Sequence, residues 1–362
     1  MTSMMRAAVF HGKRDIRVED RQIPEIGPDD VLLKSRMVSI CGSDVQPYVE
    51  GTGGVPGEIF GHEYVAEIAA VGSNVKEYRI GQRVFGNNAA VCGNCWHCKH
   101  GDPTHCVNAL QYYTGKHLKH PGGMAEYFVF SHPGEPIPEA PHLNSLMVIP
   151  DSMPDKAACL IEPFGVAIAA VEKCDVKAED TVVILGCGAI GICALQWVKH
   201  IGAETIMVDI SEERMECARA CGADYVIDNS NRDCYEQIAK ITGEIGWVKG
   251  KDTTPVRVVM DCAGYPGSLN DALRIVRAGG VILEMADSSV LSQVNITYIS
   301  YKDISIYNSA ACDSQKAFDG LRDGTLHAEP LISGIVPLER VSEAFELQAH
   351  GKALKILIQM NR

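Results

Sequence analysis

Four cysteines lie close together in a glycine-rich stretch, CGNCWHCKHGDPTHC. Their spacing, C-x2-C-x2-C-x7-C, suits a tetrahedral Zn²⁺ site in which thiolates take all four positions, and such an ion stabilises a loop too short to fold alone. An iron–sulfur cluster is the alternative, but the ferredoxin run ends in a shorter gap followed by proline, whereas Val107 follows the last cysteine here. We predict a structural zinc bound by Cys92, Cys95, Cys98 and Cys106. The histidines between them are expected to be solvated: His97, His100 and His105.

A second pattern, GCGAIG, follows the apolar strand TVVIL and opens a predicted helix that runs through Lys199. In this context the first glycine allows a tight turn, the second lets the backbone approach a pyrophosphate, and the third permits close packing of helix on strand. The helix N-terminus then faces the phosphates. We expect this turn to bind a dinucleotide cofactor through Gly186, Gly188, Ile190 and Gly191.

An acidic residue, Asp209, ends the next predicted strand, 18 residues beyond Gly191. A carboxylate at this point can bond the ribose hydroxyls of the adenosine and repels a 2′-phosphate, so NAD is favoured over NADP. Arg214 lies on the following helix and could help to bind a phosphate. With Asp209 present, we expect Arg214 to pack over the adenine instead.

The third group of candidate residues is dispersed along the chain in the runs CGSD, GHE and EP. One thiolate, one imidazole and one or two carboxylates can hold zinc with a position left for water or substrate. No spacing rule brings Cys41, His62 and Glu162 together. From residue types alone, a buried free cysteine and a satisfied histidine are the favoured interpretation.

The composition limits the functional class. The chain has 362 residues, roughly two domains' worth. Its 46% hydrophobic and 22% charged residues exclude a disordered, collagenous or coiled-coil protein. A net charge of −13 repels phosphate backbones, so neither nucleic acid nor a membrane is expected as a partner. The N-terminus lacks a signal-peptide core, and clustered cysteines then point to metal or catalysis, so we expect a cytoplasmic protein.

Two kinds of segment divide the chain. Short apolar runs punctuated by glycine predict a β-rich region from about residue 6 to 130, and from about Asp155 apolar strands alternate with helix-length segments. This alternation is typical of βαβ units around a parallel sheet. An amphipathic stretch and an apolar strand near the C-terminus are expected to return to the first domain. We place the domains at 1–157 with 310–362 and at 158–309, and interpret the loops at 133–142 and 243–255 as surface insertions, or as borders of the site or an oligomer contact.

Several motifs in order resemble a known family: CGSD, the run GHEYVAEIAAVGSNVKEYRIGQRV, the four-cysteine lobe, and EPFGVAIAAV before GCGAIG. Together they resemble the zinc-dependent medium-chain dehydrogenases/reductases over almost the whole chain, and most closely the sorbitol (polyol) and threonine dehydrogenase branch. The resemblance implies an α/β protein with a GroES-like β-rich catalytic domain and a Rossmann domain, which has a doubly wound parallel sheet.

The same resemblance implies a catalytic zinc, and thus two Zn²⁺ per chain. Its implied ligands are Cys41, His62 and either Glu162 or Glu63, which are expected to exchange with bound water. Ser43 is expected to pass the substrate's proton outward, and a turn hydroxyl is its alternative interpretation. Tyr48 is a candidate for the substrate cleft, with a core tyrosine equally plausible.

The implied reaction is reversible oxidation of a secondary alcohol, polyol or sugar-derived, to a ketone with hydride transfer to NAD. The alternatives are an L-threonine or other amino-alcohol dehydrogenase, and a non-catalytic nucleotide-binding protein that has kept the fold. The resemblance also suggests a homodimer or homotetramer, in which the last nucleotide-domain strand, around Ile304–Asn308, pairs across subunits.

Overall fold

The computed structural model describes residues 4–86, 91–109, 120–131, 145–230, 233–246, 253–286 and 293–360. The chain divides into two compact units: the first unit is Met1–Glu162 with Ile332–Arg362, and the second unit is Pro163–Leu331. The C-terminal segment thus rejoins the first unit at Ile332, whereas the sequence-based boundary lies at residue 310. The predicted loop at 133–142 lies outside the described residues.

Strands dominate the first unit. They are β1 (Met4–Gly12), β2 (Asp15–Gln22), β3 (Asp30–Ser39), β4 (Glu63–Val71), β5 (Arg83–Gly86), β6 (Tyr127–Ser131), β7 (Leu146–Val148), β14 (Ile332–Pro337) and β15 (Lys355–Gln359). The helices of this unit are short: α1 (Gly42–Glu50), α2 (Trp96–Lys99), α3 (Asp155–Ala158) and α11 (Val341–Ala349). Among the described residues the main sheet has the order β14-β15-β3-β4-β5-β7, with β6 also paired to β3.

Strand β3 is the centre of the first unit. It pairs antiparallel with β4 and with β15, so that Ser39 lies opposite both Glu63 and Leu357. Alternation of apolar and polar residues buries one face of β3, including Val31 and Leu33, in a core of strands and α11. The ends of β3, β4 and β15 therefore meet at one place.

The second unit alternates strands and helices. Its elements are α4 (Ile161–Lys173), β8 (Thr181–Leu185), α5 (Ala189–Ile201), β9 (Glu204–Asp209), α6 (Glu212–Ala220), β10 (Tyr225–Asp228), α7 (Cys234–Thr242), β11 (Val258–Asp261), α8 (Ser268–Ile275), β12 (Val281–Glu284), α9 (Ile296–Lys302), β13 (Ser305–Tyr307) and α10 (Ser314–Asp323). The strands form one sheet in the order β10-β9-β8-β11-β12-β13, and each of these pairs is parallel. The predicted α/β unit with a parallel sheet is confirmed.

The central strands β8 and β11 are continuous apolar runs, as expected for strands buried on both faces of a parallel sheet. Val182, Val183 and Ile184 of β8 are fully buried. The register aligns the carboxyl ends of the strands, with Leu185 beside Asp261 of β11. Ligands of open parallel sheets bind at this edge.

Part of the predicted loop at 243–255 is buried. Ile245 and Thr253 form an antiparallel bridge, and Thr253 and Thr254 are at most 1% exposed. This end of the loop is therefore part of the core of the second unit rather than a surface insertion. Within the described residues, no helix has the length and apolar character needed to span a bilayer.

Candidate metal and cofactor sites

The four clustered cysteines converge in the first unit. One ligand atom from each of Cys92, Cys95, Cys98 and Cys106 lies within 4.8 Å of the others. The Cys95 thiol donates to the Cys98 sulfur at 3.4 Å, and the Cys106 thiol donates to the Cys92 sulfur at 3.5 Å. Sulfurs around a tetrahedral zinc are roughly 3.8 Å apart, given Zn–S bonds of about 2.3 Å. The four sulfur atoms thus fit a closed zinc site with little movement.

Local structure brings these thiols together. Cys95 caps the single turn of α2, so that Cys98 follows one turn later. Burial raises the pKa of the Cys98 thiol to about 12, whereas at Cys92 hydrogen bonds, the first of them from Asn108, outweigh burial and lower the pKa to about 6. The lowered pKa of Cys92 favours the thiolate form, which is the form that binds a zinc ion.

The dispersed residues form a second cluster in the same unit. Ligand atoms of Cys41, His62 and Glu63 all lie within 4.8 Å of one another. Cys41 follows the end of β3 and caps α1, whereas His62 and Glu63 lie at the start of β4, so the antiparallel pairing of the two strands brings these residues together. His62 and Glu63 are 2% and 1% exposed.

Asp44 supports the first two members of this cluster. Its Oδ2 accepts a hydrogen bond from the Cys41 backbone N–H at 3.2 Å, and its Oδ1 lies 3.4 Å from Nδ1 of His62. Burial works against a charge on His62, but Asp44 and Cys41 outweigh it and raise the pKa of His62 well above its usual value. With Nδ1 directed at a carboxylate, Nε2 is the nitrogen left for a metal ion, the usual arrangement for a metal-binding histidine.

Glu63 has one satisfied and one unsatisfied oxygen. Oε1 accepts a hydrogen bond from the buried Lys355 Nζ, while Oε2 has no hydrogen-bond partner among the described residues. An orphaned buried carboxylate oxygen beside a thiol and an imidazole is unfavourable by itself, and a zinc ion would satisfy it. The residues present therefore fit a zinc ion.

Glu162 is not a member of this close group within the described chain. It is 8% exposed in the first turn of α4. Burial raises the pKa of Glu162 to about 7, with the charge of Glu63 adding to the shift and His62 opposing it. The structure thus brings Glu63, rather than Glu162, into ligand distance of Cys41 and His62.

Lys355 is the residue of this site that the sequence analysis missed. It is 2% exposed, and besides Glu63 it donates to the Ile40 backbone oxygen at 3.3 Å. Although burial works against its charge, Glu63 and Cys41 raise the pKa of Lys355. The feature of the sequence that could have identified Lys355 is its position at the start of the apolar strand KILIQ, because a lysine that is buried with such a strand needs a partner of opposite charge.

Two further predicted residues differ in their surroundings. The Ser43 hydroxyl donates to the Cys41 sulfur at 3.3 Å, so it lies against a candidate ligand. Tyr48 is 2% exposed, its hydroxyl donates to Glu346 at 2.7 Å, and its ring lies 5.1 Å from that of Phe345. Tyr48 is therefore packed as a core tyrosine, and its role in a substrate cleft has no support here.

A cavity of about 480 Å³ opens at the carboxyl edge of the sheet in the second unit. Gly186, Gly188, Asp209 and Arg214 line it, whereas Ile190 and Gly191 in the first turn of α5 are not among its lining residues. A Cβ at Gly188 would meet nothing within 4 Å, but one at Gly191 would lie 2.0 Å from the Gly186 oxygen. Gly188 thus leaves open space in the cavity, whereas Gly191 allows the helix to pack closely against the turn.

Asp209 organises the backbone at this edge. Its carboxylate accepts hydrogen bonds from the backbone N–H groups of Cys187 at 2.7 Å, Ile210 at 2.7 Å and Ser211 at 2.9 Å. The same side chain lines the cavity, so its negative charge faces whatever binds there. A cavity of this kind, next to a glycine turn at a helix N-terminus, has the features of a dinucleotide site.

The two units together have the features of a metal-dependent, nucleotide-dependent dehydrogenase, and comparisons with known proteins agree. Residues 27–138 match the alcohol dehydrogenase GroES-like domain, and residues 189–323 match the zinc-binding dehydrogenase family. The chain is 33% identical to sorbitol dehydrogenase of Bacillus subtilis, over 99% of this chain and 98% of the relative. It is 29% identical to L-threonine 3-dehydrogenase of Legionella pneumophila, over 99% of both chains.

Solved structures give the same result. The crystal structure of an alcohol dehydrogenase from Escherichia coli in complex with NADH has a TM-score of 0.83 and 28% identity, covering 99% of this chain and 100% of the other. The chain belongs to the zinc-binding, GroES-like alcohol dehydrogenases of the medium-chain family. The predicted family and the predicted pairing of a GroES-like domain with a Rossmann domain are confirmed.

Proposed function

We propose that this protein oxidises a secondary alcohol, a polyol or a sugar-derived one, to a ketone and transfers the hydride to NAD, in a reversible reaction. The observation that carries the proposal is the buried cluster of Cys41, His62 and Glu63 with an unsatisfied carboxylate oxygen. The similarity to sorbitol dehydrogenase supports the substrate class.

In this proposal Cys41, His62 and Glu63 hold the catalytic zinc, and Glu162 is an exchanging ligand. When bound, zinc would act as a Lewis acid that makes a substrate hydroxyl more acidic, and NAD would accept the hydride. Ser43, whose hydroxyl touches the Cys41 sulfur, relays the proton that leaves the substrate: it accepts this proton and releases its own outward to solvent. Asp44, whose Oδ1 lies 3.4 Å from Nδ1 of His62, orients the imidazole.

The cofactor side of the proposal rests on the second unit. Gly188 leaves room for the pyrophosphate, Gly186 makes the tight turn with a φ of +97°, and Ile190 and Gly191 form the helix turn behind them. The Asp209 carboxylate accepts hydrogen bonds from the ribose hydroxyls and repels a 2′-phosphate. Arg214 packs over the adenine. NAD is therefore the preferred cofactor, and NADP is the weaker one.

A second candidate is the oxidation of L-threonine or another amino alcohol, because several relatives of nearly full coverage are L-threonine 3-dehydrogenases. A non-catalytic nucleotide-binding protein is disfavoured, because the candidate ligands of both metal sites converge. The four clustered cysteines converge as candidate metal ligands rather than as disulfides, which supports a reducing compartment such as the cytoplasm.

The test is an absorbance assay for NADH formation on purified protein whose zinc content has been measured. Polyols, sugar phosphates, threonine, other amino alcohols and simple diols are each offered with NAD and with NADP. We expect two zinc ions per chain and strong turnover of a polyol with NAD. Turnover of threonine instead would favour the second candidate, and one zinc with no turnover would overturn the enzymatic proposal.

A Cys41→Ser variant separates chemistry from cofactor binding. Because a thiolate ligand is lost while the cavity of the second unit is unchanged, turnover should fall by orders of magnitude with an ordinary NADH affinity. Full turnover in this variant would contradict the proposed zinc ligands.

We also infer that the chain forms a homodimer or homotetramer through β13. This strand is the edge of its sheet, and its side chains Ile306 and Tyr307 are 39% and 42% exposed. An unpaired, apolar edge strand is a template for pairing with a second copy. Light scattering should show Ile306→Lys as a smaller species than the wild-type protein, while Ile80→Lys, at a more exposed apolar position in the first unit, leaves the mass unchanged.

A further inference from the structure

Asn229 borders the cofactor cavity and has a buried oxygen without a hydrogen-bond partner. It directly follows strand β10, at the edge of the sheet where the cavity of about 480 Å³ opens. Its side-chain Oδ1 is shielded from solvent, and among the described residues it accepts no hydrogen bond. Such an oxygen is unfavourable for the fold, because its hydrogen bonds to water are lost and not replaced. It is therefore a candidate to accept a hydrogen bond from a bound molecule.

Backbone pairing places Asn229 directly beside Asp209. Strands β9 and β10 are parallel with Asp228 opposite Asp209, and the Asn229 backbone N–H donates to the Asp209 carbonyl oxygen at 2.9 Å. In the proposed cofactor site, the Asp209 carboxylate binds the ribose of the adenosine. A nucleoside base is joined directly to its ribose, so we expect the base in the part of the cavity that adjoins Asp209 and Asn229.

Three other polar side chains that border the cavity are less suited to accept a hydrogen bond from a base. The Asp209 carboxylate already accepts hydrogen bonds from three backbone N–H groups. The guanidinium of Arg214 can donate hydrogen bonds but cannot accept them. The Tyr265 hydroxyl donates to the Asp271 carboxylate. The Asn229 amide, in contrast, carries an acceptor and a donor side by side.

An amide of this kind matches one edge of adenine. The 6-amino group of adenine is a donor and the neighbouring N7 is an acceptor, and asparagine can pair with both at once. Hypoxanthine has a carbonyl oxygen in place of the amino group, so both positions on this edge are acceptors. The amide oxygen would then face another oxygen and would stay without a hydrogen bond. A site built for such a hydrogen bond strongly rejects the analogue that lacks the donor.

We propose that Asn229 recognises the adenine base of the cofactor, with its Oδ1 accepting from the 6-amino group and its amide N–H donating to N7. This proposal rests on the proposed NAD site in the second unit. Asn229 makes the cavity selective for an adenine dinucleotide over a hypoxanthine dinucleotide, whereas Asp209 selects at the ribose.

The test compares the binding of NADH and of reduced nicotinamide hypoxanthine dinucleotide to the full-length protein, by fluorescence titration. We expect the wild-type protein to bind NADH at least about tenfold more tightly than the hypoxanthine analogue. Asn229→Leu replaces the amide with an apolar side chain of similar size. This variant should bind NADH at least about tenfold more weakly than the wild-type protein and the analogue about as well, so that most of the selectivity is lost.

Asp228→Ser is the matched control, because Asp228 ends the same strand but does not border the cavity. This variant should keep the wild-type ratio of the two affinities. Thermal unfolding without cofactor gives a second readout. Because Asn229→Leu removes an unsatisfied buried oxygen, the cofactor-free variant should be at least as stable as the wild-type protein. A given concentration of NADH should then raise its unfolding temperature less.

The outcomes distinguish this proposal from the proposed cofactor site. Equal affinity of the wild-type protein for both dinucleotides, or an unchanged ratio in Asn229→Leu, would overturn the role of Asn229 and leave the NAD site intact. A less stable cofactor-free variant with an unchanged ratio would assign the amide a structural role instead. No measurable binding of either dinucleotide by the wild-type protein would overturn the cofactor site itself.

Discussion

The Asp209 carboxylate both stabilises the local backbone and is expected to select NAD over NADP. It accepts three backbone hydrogen bonds and also lines the cofactor cavity. Replacing it with serine removes the negative charge that a 2′-phosphate would meet, and Arg214 remains in the cavity. We expect Asp209→Ser to shift the ratio of kcat/KM for NAD over NADP towards NADP by at least about tenfold, a change equivalent to about 1.4 kcal/mol.

Asp228 provides the matched control for this change. It ends the neighbouring strand β10 in register with Asp209, but it does not line the cavity. Asp228→Ser should therefore leave the cofactor ratio unchanged. An unchanged ratio in Asp209→Ser, measured on protein with normal thermal stability, would show that selectivity lies elsewhere.

Lys355 balances the negative charge of the candidate zinc ligands. Breaking a buried ion pair by removing one partner costs about 3–5 kcal/mol, because the remaining charge is left unpaired. We expect Lys355→Met to lower the free energy of unfolding of metal-free protein by about this amount, as measured by urea unfolding in the presence of a chelator. Zinc should reduce the loss, because the cation compensates Glu63 directly.

The double variant Lys355→Met, Glu63→Gln tests the cause. With no carboxylate left to be unpaired, much of the lost stability should return in metal-free protein. If the double variant is as unstable as Lys355→Met, the loss comes from packing at β15 and not from the charge of Glu63.

At the scale of residues, sequence reasoning can group candidate donors only where they are local. The four cysteines could be recognised because their spacing lies within one short loop, and the glycine turn because strand, turn and helix are contiguous. Glu63 could not be distinguished from Glu162, because the choice depends on pairing between β3, β4 and β15. Lys355 was missed for the same reason, since its partner is 292 residues away.

In the turn between β8 and α5, one glycine is needed for cofactor binding and another for the stability of the fold. A methyl group at Gly188 meets no protein atom, whereas at Gly191 it would collide with the backbone oxygen of Gly186. We expect Gly188→Ala to fold with wild-type thermal stability but to bind NADH at least about tenfold more weakly, because the methyl group occupies space for the pyrophosphate. Gly191→Ala should instead lower the stability of the second unit.

Calorimetry and NADH fluorescence titration of both variants check this assignment. Normal NADH affinity in Gly188→Ala would mean that the cofactor phosphates do not approach this glycine. A stable Gly191→Ala protein would mean that α5 can move away from β8 without cost, contrary to its close packing.

Elements could be predicted where one physical signal dominates. The strand–helix alternation predicted from about Asp155 agrees with β8 to β12 and the helices between them, because apolar runs bounded by turns mark each strand. The hairpin of β1 and β2 was not resolved as two strands, because DIRVEDRQ is polar and partly exposed. The sequence also did not indicate that the chain rejoins the first unit at Ile332, because the amphipathic pattern of α10 is compatible with either unit.

At the scale of the whole chain, the candidate metal-binding residues and the residues that line the cofactor cavity lie in different units. Both candidate metal groups lie in the first unit, and the residues that line the cofactor cavity all lie in the second. A ligand that binds only the folded form of one unit stabilises that unit, by about 2.7 kcal/mol at a free concentration of 100 Kd. Metal and cofactor should therefore act on different parts of the unfolding reaction.

Differential scanning calorimetry of the full-length protein tests this expectation. Chelation should lower the transition of the first unit and split it from that of the second. Added NADH should then raise only the second transition, by roughly 5–10 °C for a unit of this size at 100 Kd. At the same NADH concentration, Gly188→Ala should reduce the shift caused by NADH to about half or less and keep the shift caused by zinc. Cys41→Ser should weaken the shift caused by zinc and leave the shift caused by NADH unchanged. A single transition that moves equally with both ligands would mean that the two units unfold as one cooperative body.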